Sequence, residues 1–317
     1  MTRGGGADAP RLDPLEVRRT LRREGLRAIR GRSQNFLADP DVLQSILDLA
    51  DVAPGDRVLE IGPGLGILTG GLLEAGAQVT AVELDTGLAA YLANTFAEEL
   101  ERGHLQLIEG DALDLELTEV APPPYRVVAN LPYHITSPIL HRLLGAEPSP
   151  ERLVLMVQAE VADRMAAPAG RMSYLSAFVQ FHATIEVALR VPPEAFEPAP
   201  KVSSAVVVLT PRAEKALPRE RESALWGLVQ SGFRERRKML RNVLARQLRS
   251  GDDRATGPHV GQARVDEALV AAGIAGDRRP QTLSVEDWLR LLAAIEAIEA
   301  GPASSAEPAI AAAEAPE

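Results

Sequence analysis

The 317-residue sequence has no cysteine, which excludes disulfides, thiolate metal sites and a cysteine nucleophile. Aromatic residues are only 4% of the chain, so any work done by an aromatic face must fall on a few positions. No apolar run approaches the ~20 residues that a membrane-spanning helix needs. The N-terminus lacks the basic-then-apolar layout of a secretory signal, and Asp8, Asp13, Glu16 and Glu24 are out of place in a mitochondrial transit peptide. These absences lead us to expect a cytoplasmic protein that does not engage a membrane.

Positive charge is also short overall. Lys and Arg number 34 against 44 Asp and Glu, a formal net charge of −10, which on average disfavours a nucleic-acid partner. The cations are segregated, however. Between Phe233 and Arg249, the residues Arg234, Arg236, Arg237, Lys238, Arg241, Arg246 and Arg249 face one anion, Glu235. Arg18, Arg19, Arg22, Arg23, Arg27, Arg30 and Arg32 form a second basic stretch against Glu16 and Glu24. Phosphate binding needs only a positive docking face. A solvated helix face explains either stretch equally well, and composition does not choose.

What is present is enough apolar material, 46%, for a substantial core, and a length that suggests two domains. Residues 1–31 read as a disordered basic extension, within which Leu15 to Ile29 could form an amphipathic helix. Asp39-Pro40 before Val42, Leu43, Ile46 and Leu47 marks a capped helix. From Arg57 strands alternate with helices: Arg57–Ile61, Gln78–Val82, Leu105–Glu109, Tyr125–Ala129, Leu153–Val157, a stretch around Thr184–Leu189, and Val202–Thr210. The pattern predicts an α/β domain over 32–211 with a Rossmann-like, mostly parallel sheet. A proline-rich loop rather than a helix joins the last two strands, which predicts an antiparallel pair at one edge. Helices are expected at Arg219–Gly232, Glu235–Arg249, Gly261–Ala272 and Val285–Ala300, giving a small all-helical domain over 212–300. The Ala-, Pro- and Glu-rich residues 301–317 read as a disordered tail.

The chemistry gathers at successive strand ends. Glu60-Ile61-Gly62-Pro63-Gly64-Leu65-Gly66 leads from the first strand into a helix, and its glycines permit close backbone approach to a ligand. It lacks both the dinucleotide spacing and the Lys-Ser/Thr of a phosphate loop. Glu60 places a negative charge there and favours a cationic ligand. The second strand ends at Glu83-Leu84-Asp85, where an acid can hold ribose hydroxyls. The third ends at Glu109-Gly110-Asp111-Ala112, where a carboxylate can accept from an adenine amino group. Each acid taken alone could be a helix cap or a surface charge. The fourth strand ends at Asn130-Leu131-Pro132-Tyr133: an amide, a carbonyl held extended by the following proline, and a flat ring. Those groups suit a planar base with an exocyclic amine. The four strand ends in this order point to S-adenosylmethionine-dependent methyl transfer.

With these motifs the chain resembles the ribosomal RNA adenine N6,N6-dimethyltransferases from about Arg32 to Leu292. The resemblance also includes Ser33-Gln34-Asn35-Phe36-Leu37, Gln158-Ala159-Glu160 through Arg164, Phe196-Glu-Pro-Ala-Pro-Lys-Val202 and Phe233-Arg-Glu-Arg-Arg-Lys-Met-Leu240. It implies that Asn35, Leu37, Gly62, Gly64, Glu83, Asp111, Ala112 and Asn130 contact S-adenosylmethionine, with S-adenosylhomocysteine as product and no metal. It implies catalysis by Asn130, Leu131, Pro132 and Tyr133, with Phe196 covering the second face of the base. Ordinary loop packing is the alternative for Phe196. Arg234, Arg236, Arg237, Lys238 and Arg241 would bind RNA. The Gly-Pro-Gly-Leu-Gly form resembles the small-subunit branch, so the expected partner is small-subunit ribosomal RNA or its precursor particle, met by a monomer. Methylation of large-subunit RNA or DNA, and a mainly non-catalytic role in ribosome assembly, are the rival readings. The chain departs from the family pattern at His134, where asparagine is usual, and at Ala159, where lysine is usual.

Overall fold

The computed structural model describes residues 13–27, 34–247 and 261–300. Residues 1–12, Arg30, Arg32, Ser33, Arg249 and the expected tail lie outside the described residues. Two compact units emerge: Met1–Pro168 with Met172–Ala216, and Ala169–Arg171 with Leu217–Glu317.

The first unit begins with α1 (Pro14–Arg23), β1 (Phe36–Leu37), α2 (Pro40–Ala50) and β2 (Arg57–Ile61). It continues through α3 (Ile67–Glu74), β3 (Gln78–Glu83), α4 (Thr86–Thr95), α5 (Ala97–Glu101), β4 (Leu105–Glu109) and α6 (Leu117–Val120). Then come β5 (Arg126–Asn130), α7 (Thr136–Leu144), β6 (Arg152–Gln158), α8 (Ala159–Met165) and α9 (Tyr174–His182). It closes with β7 (Ala183–Val191), β8 (Phe196–Glu197) and β9 (Ser204–Pro211).

Seven strands form one sheet in the order β4-β3-β2-β5-β6-β9-β7. Neighbours from β4 to β6 run parallel, and β9 pairs antiparallel with both β6 and β7. The reversed strand therefore lies inside the sheet, between two strands that precede it in the chain. Val127, Val128 and Ala129 of β5 and Leu153 to Val157 of β6 are almost wholly buried. Strands covered by helices on both faces need such unbroken apolar runs. The edge strand β7 is only partly buried along its middle.

Caps set the helices that leave the strand ends. Asp39 accepts from the Asp41 and Val42 amides at 2.9 and 3.1 Å and starts α2. Asp85 does the same for α4 through Gly87 and Leu88, at 3.0 and 3.2 Å. Each such cap is worth about 1 kcal/mol.

Within the N-terminal extension, the amphipathic helix read over Leu15 to Ile29 is present in part, as α1. Asp13 caps this helix, and Val17, Thr20 and Leu21 are buried, with Val17 and Leu21 joining the core of the first unit. Its arginines leave one apolar stripe intact, which is enough to hold an amphipathic helix on a core.

The second unit contains α10 (Arg219–Phe233), α11 (Leu240–Gln247), α12 (Gln262–Ala271) and α13 (Val285–Ala300). Trp288, Leu291 and Leu292 of α13 pack in an interior that includes Leu225, Leu228, Val243 and Leu244. The expected continuous helix from Glu235 is corrected here: residues 234–239 form a turn. The Leu240 and Arg241 amides donate to the carbonyls of Arg278 and Gly276, at 2.8 and 3.3 Å, instead of extending a helix back into the turn. That exchange seats Leu240 in the interior, fully buried, and leaves the crowded like charges of the turn in water.

Candidate active site

The carboxyl ends of β2, β3, β4 and β5 face two adjoining recesses in the first unit. One is lined by Asn35, Phe36, Leu37, Glu60, Gly62, Gly64, Asn130, Leu131, Pro132 and Tyr133. The other is lined by Leu84, Gly110, Asp111, Ala112, His134 and Ile135. Gln34, Gly62, Glu83 and Pro132 line both, so the recesses share a wall.

Glu83 sits on that wall, 5% exposed. Its carboxylate accepts one backbone amide on each oxygen, Gly64 at 3.1 Å and Asp85 at 2.9 Å. Both oxygens are thereby held in place by the backbone around the turn. Burial pushes its pKa up and the Asp85 charge adds to the rise, while the backbone amides of Asp85, Gly64 and Leu84 oppose it.

Glu60 lies deeper, 1% exposed, with the Thr69 hydroxyl donating to it at 2.7 Å. Burial raises its pKa to about 8, and the nearby Glu83 adds to the rise. Burial thus works against the standing negative charge expected at this strand end.

Gly62 and Gly64 have φ of +72° and +60°, a left-handed backbone that a side chain would strain. A Cβ on Gly64 would lie 3.1 Å from the Phe36 ring, and one on Gly62 would lie 3.5 Å from Pro132. The turn thus brings bare backbone to the recess, with Glu83 beside it. That cradle fits the ribose and methionine portions of an adenosyl donor.

Asp111 accepts the Leu113 amide on Oδ1 at 2.9 Å. Ala112 beside it is buried.

Asn130 closes β5, and its side-chain Nδ2 donates to the Asn35 carbonyl at 3.2 Å. The Leu131 amide donates to the Met156 carbonyl at 3.1 Å, which ties the tetrad to β6. Tyr133 is half-buried and its hydroxyl lies 2.9 Å from Ser204 Oγ; burial raises its pKa, so the phenol stays neutral.

Asn35, Leu37, Gly62, Gly64, Glu83, Asp111, Ala112, Asn130, Leu131, Pro132 and Tyr133 are thus brought together. Phe196 is not. Its backbone pairs with Leu37 in the two-stranded sheet of β1 and β8, and its side chain is 2% exposed within the core. Phe196 lines neither recess, although Leu37, with which it pairs, lines the first. Ser204, Leu84, Ile135 and Gln34 were missed as site residues. Gln34 and Leu84 lie inside quoted motifs, whereas Ser204 carries no local signal.

In the second unit Arg234, Arg236, Arg237 and Lys238 occupy the turn before α11, and Arg241 lies in its first turn; all five are exposed. Glu235 pairs with Arg246 at 3.1 Å. Among the described residues no group of three or more His, Asp or Glu could hold a metal ion, and no helix is long and apolar enough to cross a membrane.

A parallel sheet with one reversed strand, a glycine turn after its first strand and acids after the next two defines an S-adenosylmethionine-dependent methyltransferase. Residues 29–291 match the family model described as ribosomal RNA adenine dimethylase. The chain belongs to that family. It is 44% identical over 275 residues to Ribosomal RNA small subunit methyltransferase A of Thermosynechococcus vestitus, covering 84% of this chain and 96% of the relative. The protein of the same name from Cutibacterium acnes is 38% identical, over 90% of this chain and 94% of the relative. A dimethyladenosine transferase from Plasmodium falciparum superposes with a TM-score of 0.68 at 26% identity, covering 82% of this chain and 97% of that one. The 23S rRNA methyltransferase ErmE gives a TM-score of 0.63 at 30% identity, covering 83% and 100%.

Proposed function

We propose that this enzyme methylates the N6 amino groups of two adjacent adenines in a loop of small-subunit ribosomal RNA, giving N6,N6-dimethyladenine during small-subunit assembly. The observation that carries this reading is the shared wall: the acceptor tetrad Asn130–Tyr133 opens on a recess continuous with the one that holds Asp111. The names of the relatives from Thermosynechococcus vestitus and Cutibacterium acnes support the small subunit as target.

S-adenosylmethionine, when bound, supplies a methyl group activated on a sulfonium. Glu83 would hold the ribose hydroxyls, and Asp111 would accept from the donor's adenine. On the acceptor side the difficulty is electronic, because the lone pair of an adenine amine is delocalised into its ring. Asn130 Oδ1 and the Leu131 carbonyl accept the two amine hydrogens and draw the nitrogen toward tetrahedral geometry. Pro132 keeps Leu131 extended so that its carbonyl can serve. Tyr133 stacks on the base, worth about 1–3 kcal/mol. Positioning of this kind supplies roughly 7–11 kcal/mol in favourable cases, so no strong base is needed and the product's proton passes to water.

A base must leave its stack to enter the recess, which costs least in a loop. The exposed cations from Arg234 to Arg241 are suited to an RNA backbone. Large-subunit RNA is the second reading, favoured by the similarity to ErmE. Offering labelled S-adenosylmethionine with small-subunit particles, large-subunit RNA and duplex DNA separates the readings. Label confined to the small-subunit particles is expected, and label confined to either rival substrate would reject the proposal.

A further inference from the structure

The turn Asp111–Leu115 carries the adenine acid but has no regular structure of its own. It is gripped from two sides. At its start Asp111 accepts the Leu113 amide at 2.9 Å, and the Asp114 amide returns to the Asp111 carbonyl at 2.9 Å. From across the fold Arg142 donates through both terminal nitrogens, one to the Leu113 carbonyl and the other to the Leu115 carbonyl. A planar guanidinium can fork onto two carbonyls in this way, whereas a lysine ammonium is a point donor.

Arg142 stands on α7, the helix that begins three residues after Tyr133. That helix is a firm base. Ile139, Leu140 and Leu143 are fully buried, and the Thr136 hydroxyl reaches back to the Pro132 carbonyl at 3.4 Å. One rigid element therefore connects the acceptor tetrad to the turn that lines the second recess.

We propose that Arg142 is a positioning residue that locks the turn Asp111–Leu115 onto α7 and so sets where the donor's adenine lies relative to the acceptor tetrad. This rests on the function proposed above. Neither carbonyl that Arg142 holds belongs to a residue lining the recess, so Arg142 acts through the turn and Asp111.

The test is calorimetric titration of the full chain with S-adenosylhomocysteine, which needs no turnover. Arg142→Ala should weaken binding about tenfold, a coupling of ordinary size for groups in one hydrogen-bond network. Amide exchange should quicken at residues 113–115 and stay unchanged in β2 and β3. In an Asp111→Ala background, Arg142→Ala should cost nothing further. Arg142→Lys, which keeps the charge and loses the fork, should weaken binding in the same direction and carries the test if the alanine variant does not fold. Unchanged affinity in a folded variant, full recovery with lysine, or an undiminished loss in the Asp111→Ala background would each overturn the proposal. A wild-type chain that fails to bind S-adenosylhomocysteine would instead reject the proposed function.

Discussion

The side-chain amide of Asn130 donates from Nδ2 to the backbone carbonyl of Asn35 at 3.2 Å. A carbonyl can only accept, so this contact fixes which end of the amide points where. Nδ2 is committed to Asn35, and Oδ1 is left to accept. The N-terminal motif that lines the same recess as the tetrad therefore also orients the group that would polarise the substrate amine.

Asn130→Asp is expected to be as damaging as Asn130→Ala. A carboxylate has no hydrogen to give Asn35 and would set an oxygen against that carbonyl. Both variants should lose about 10²-fold or more in methyl transfer, the scale of a misplaced reacting group. Single-turnover kinetics with labelled donor measure this, and an aspartate variant with full activity would remove the orienting role.

Glu60 makes the stability of the protein depend on pH. Its carboxyl titrates near 4.5 in an unfolded chain and at about 8 when folded, so the folded state holds the proton to higher pH. The resulting stabilisation is complete below 4.5 and is lost as pH rises through about 8. One proton contributes at most about 1.4 kcal/mol per pH unit. Glu60→Gln should flatten the fall in urea-denaturation stability across that window. Equal slopes for both proteins would mean that Glu60 is ionised throughout.

Phe196 separates packing from stacking. Removing a buried ring costs about 3–5 kcal/mol. Phe196→Ala should therefore lower stability by that order, whereas Phe196→Leu should keep both the fold and most of the activity. A stable leucine variant that binds donor normally but no longer methylates would show that the ring leaves the core to cover the base.

The basic turn of the second unit should act on RNA alone. Arg237→Glu with Lys238→Glu is expected to weaken RNA binding and to flatten its salt dependence by about 0.7–0.9 in log–log slope for each phosphate no longer engaged. Filter binding at several salt concentrations reads this, and S-adenosylhomocysteine affinity should not move. Equal loss of both affinities would contradict the division of labour.

The strand ends were legible because they combine two local signals. Buried parallel strands such as Leu153–Val157 stand out as apolar runs; Glu83 and Asn130 are the polar last residues of β3 and β5, and Asp111 lies two residues beyond the end of β4. Pairing order has no such signal, so the insertion of β9 between β6 and β7 is invisible in the chain. Nor could composition reveal that Leu240 would break the basic helix to reach the interior. The burial of Phe196 beside β1 is likewise a property of the folded chain that no local pattern gives. The upward shift of the Glu60 pKa comes from burial, which is a property of the folded chain. Arg142 meets carbonyls 27 and 29 residues away, beyond any spacing rule.

Methyl transfer to adenine N6 at the Asn130 tetrad can be read straight from the product. Undermethylated small-subunit particles are treated with wild-type protein or with Asn130→Ala, and their nucleosides are analysed by mass spectrometry. Two N6,N6-dimethyladenosines per RNA are expected with wild-type protein and none above background with the variant. Equal dimethylation by both proteins, or methyl groups on another atom or base, would contradict transfer at this tetrad.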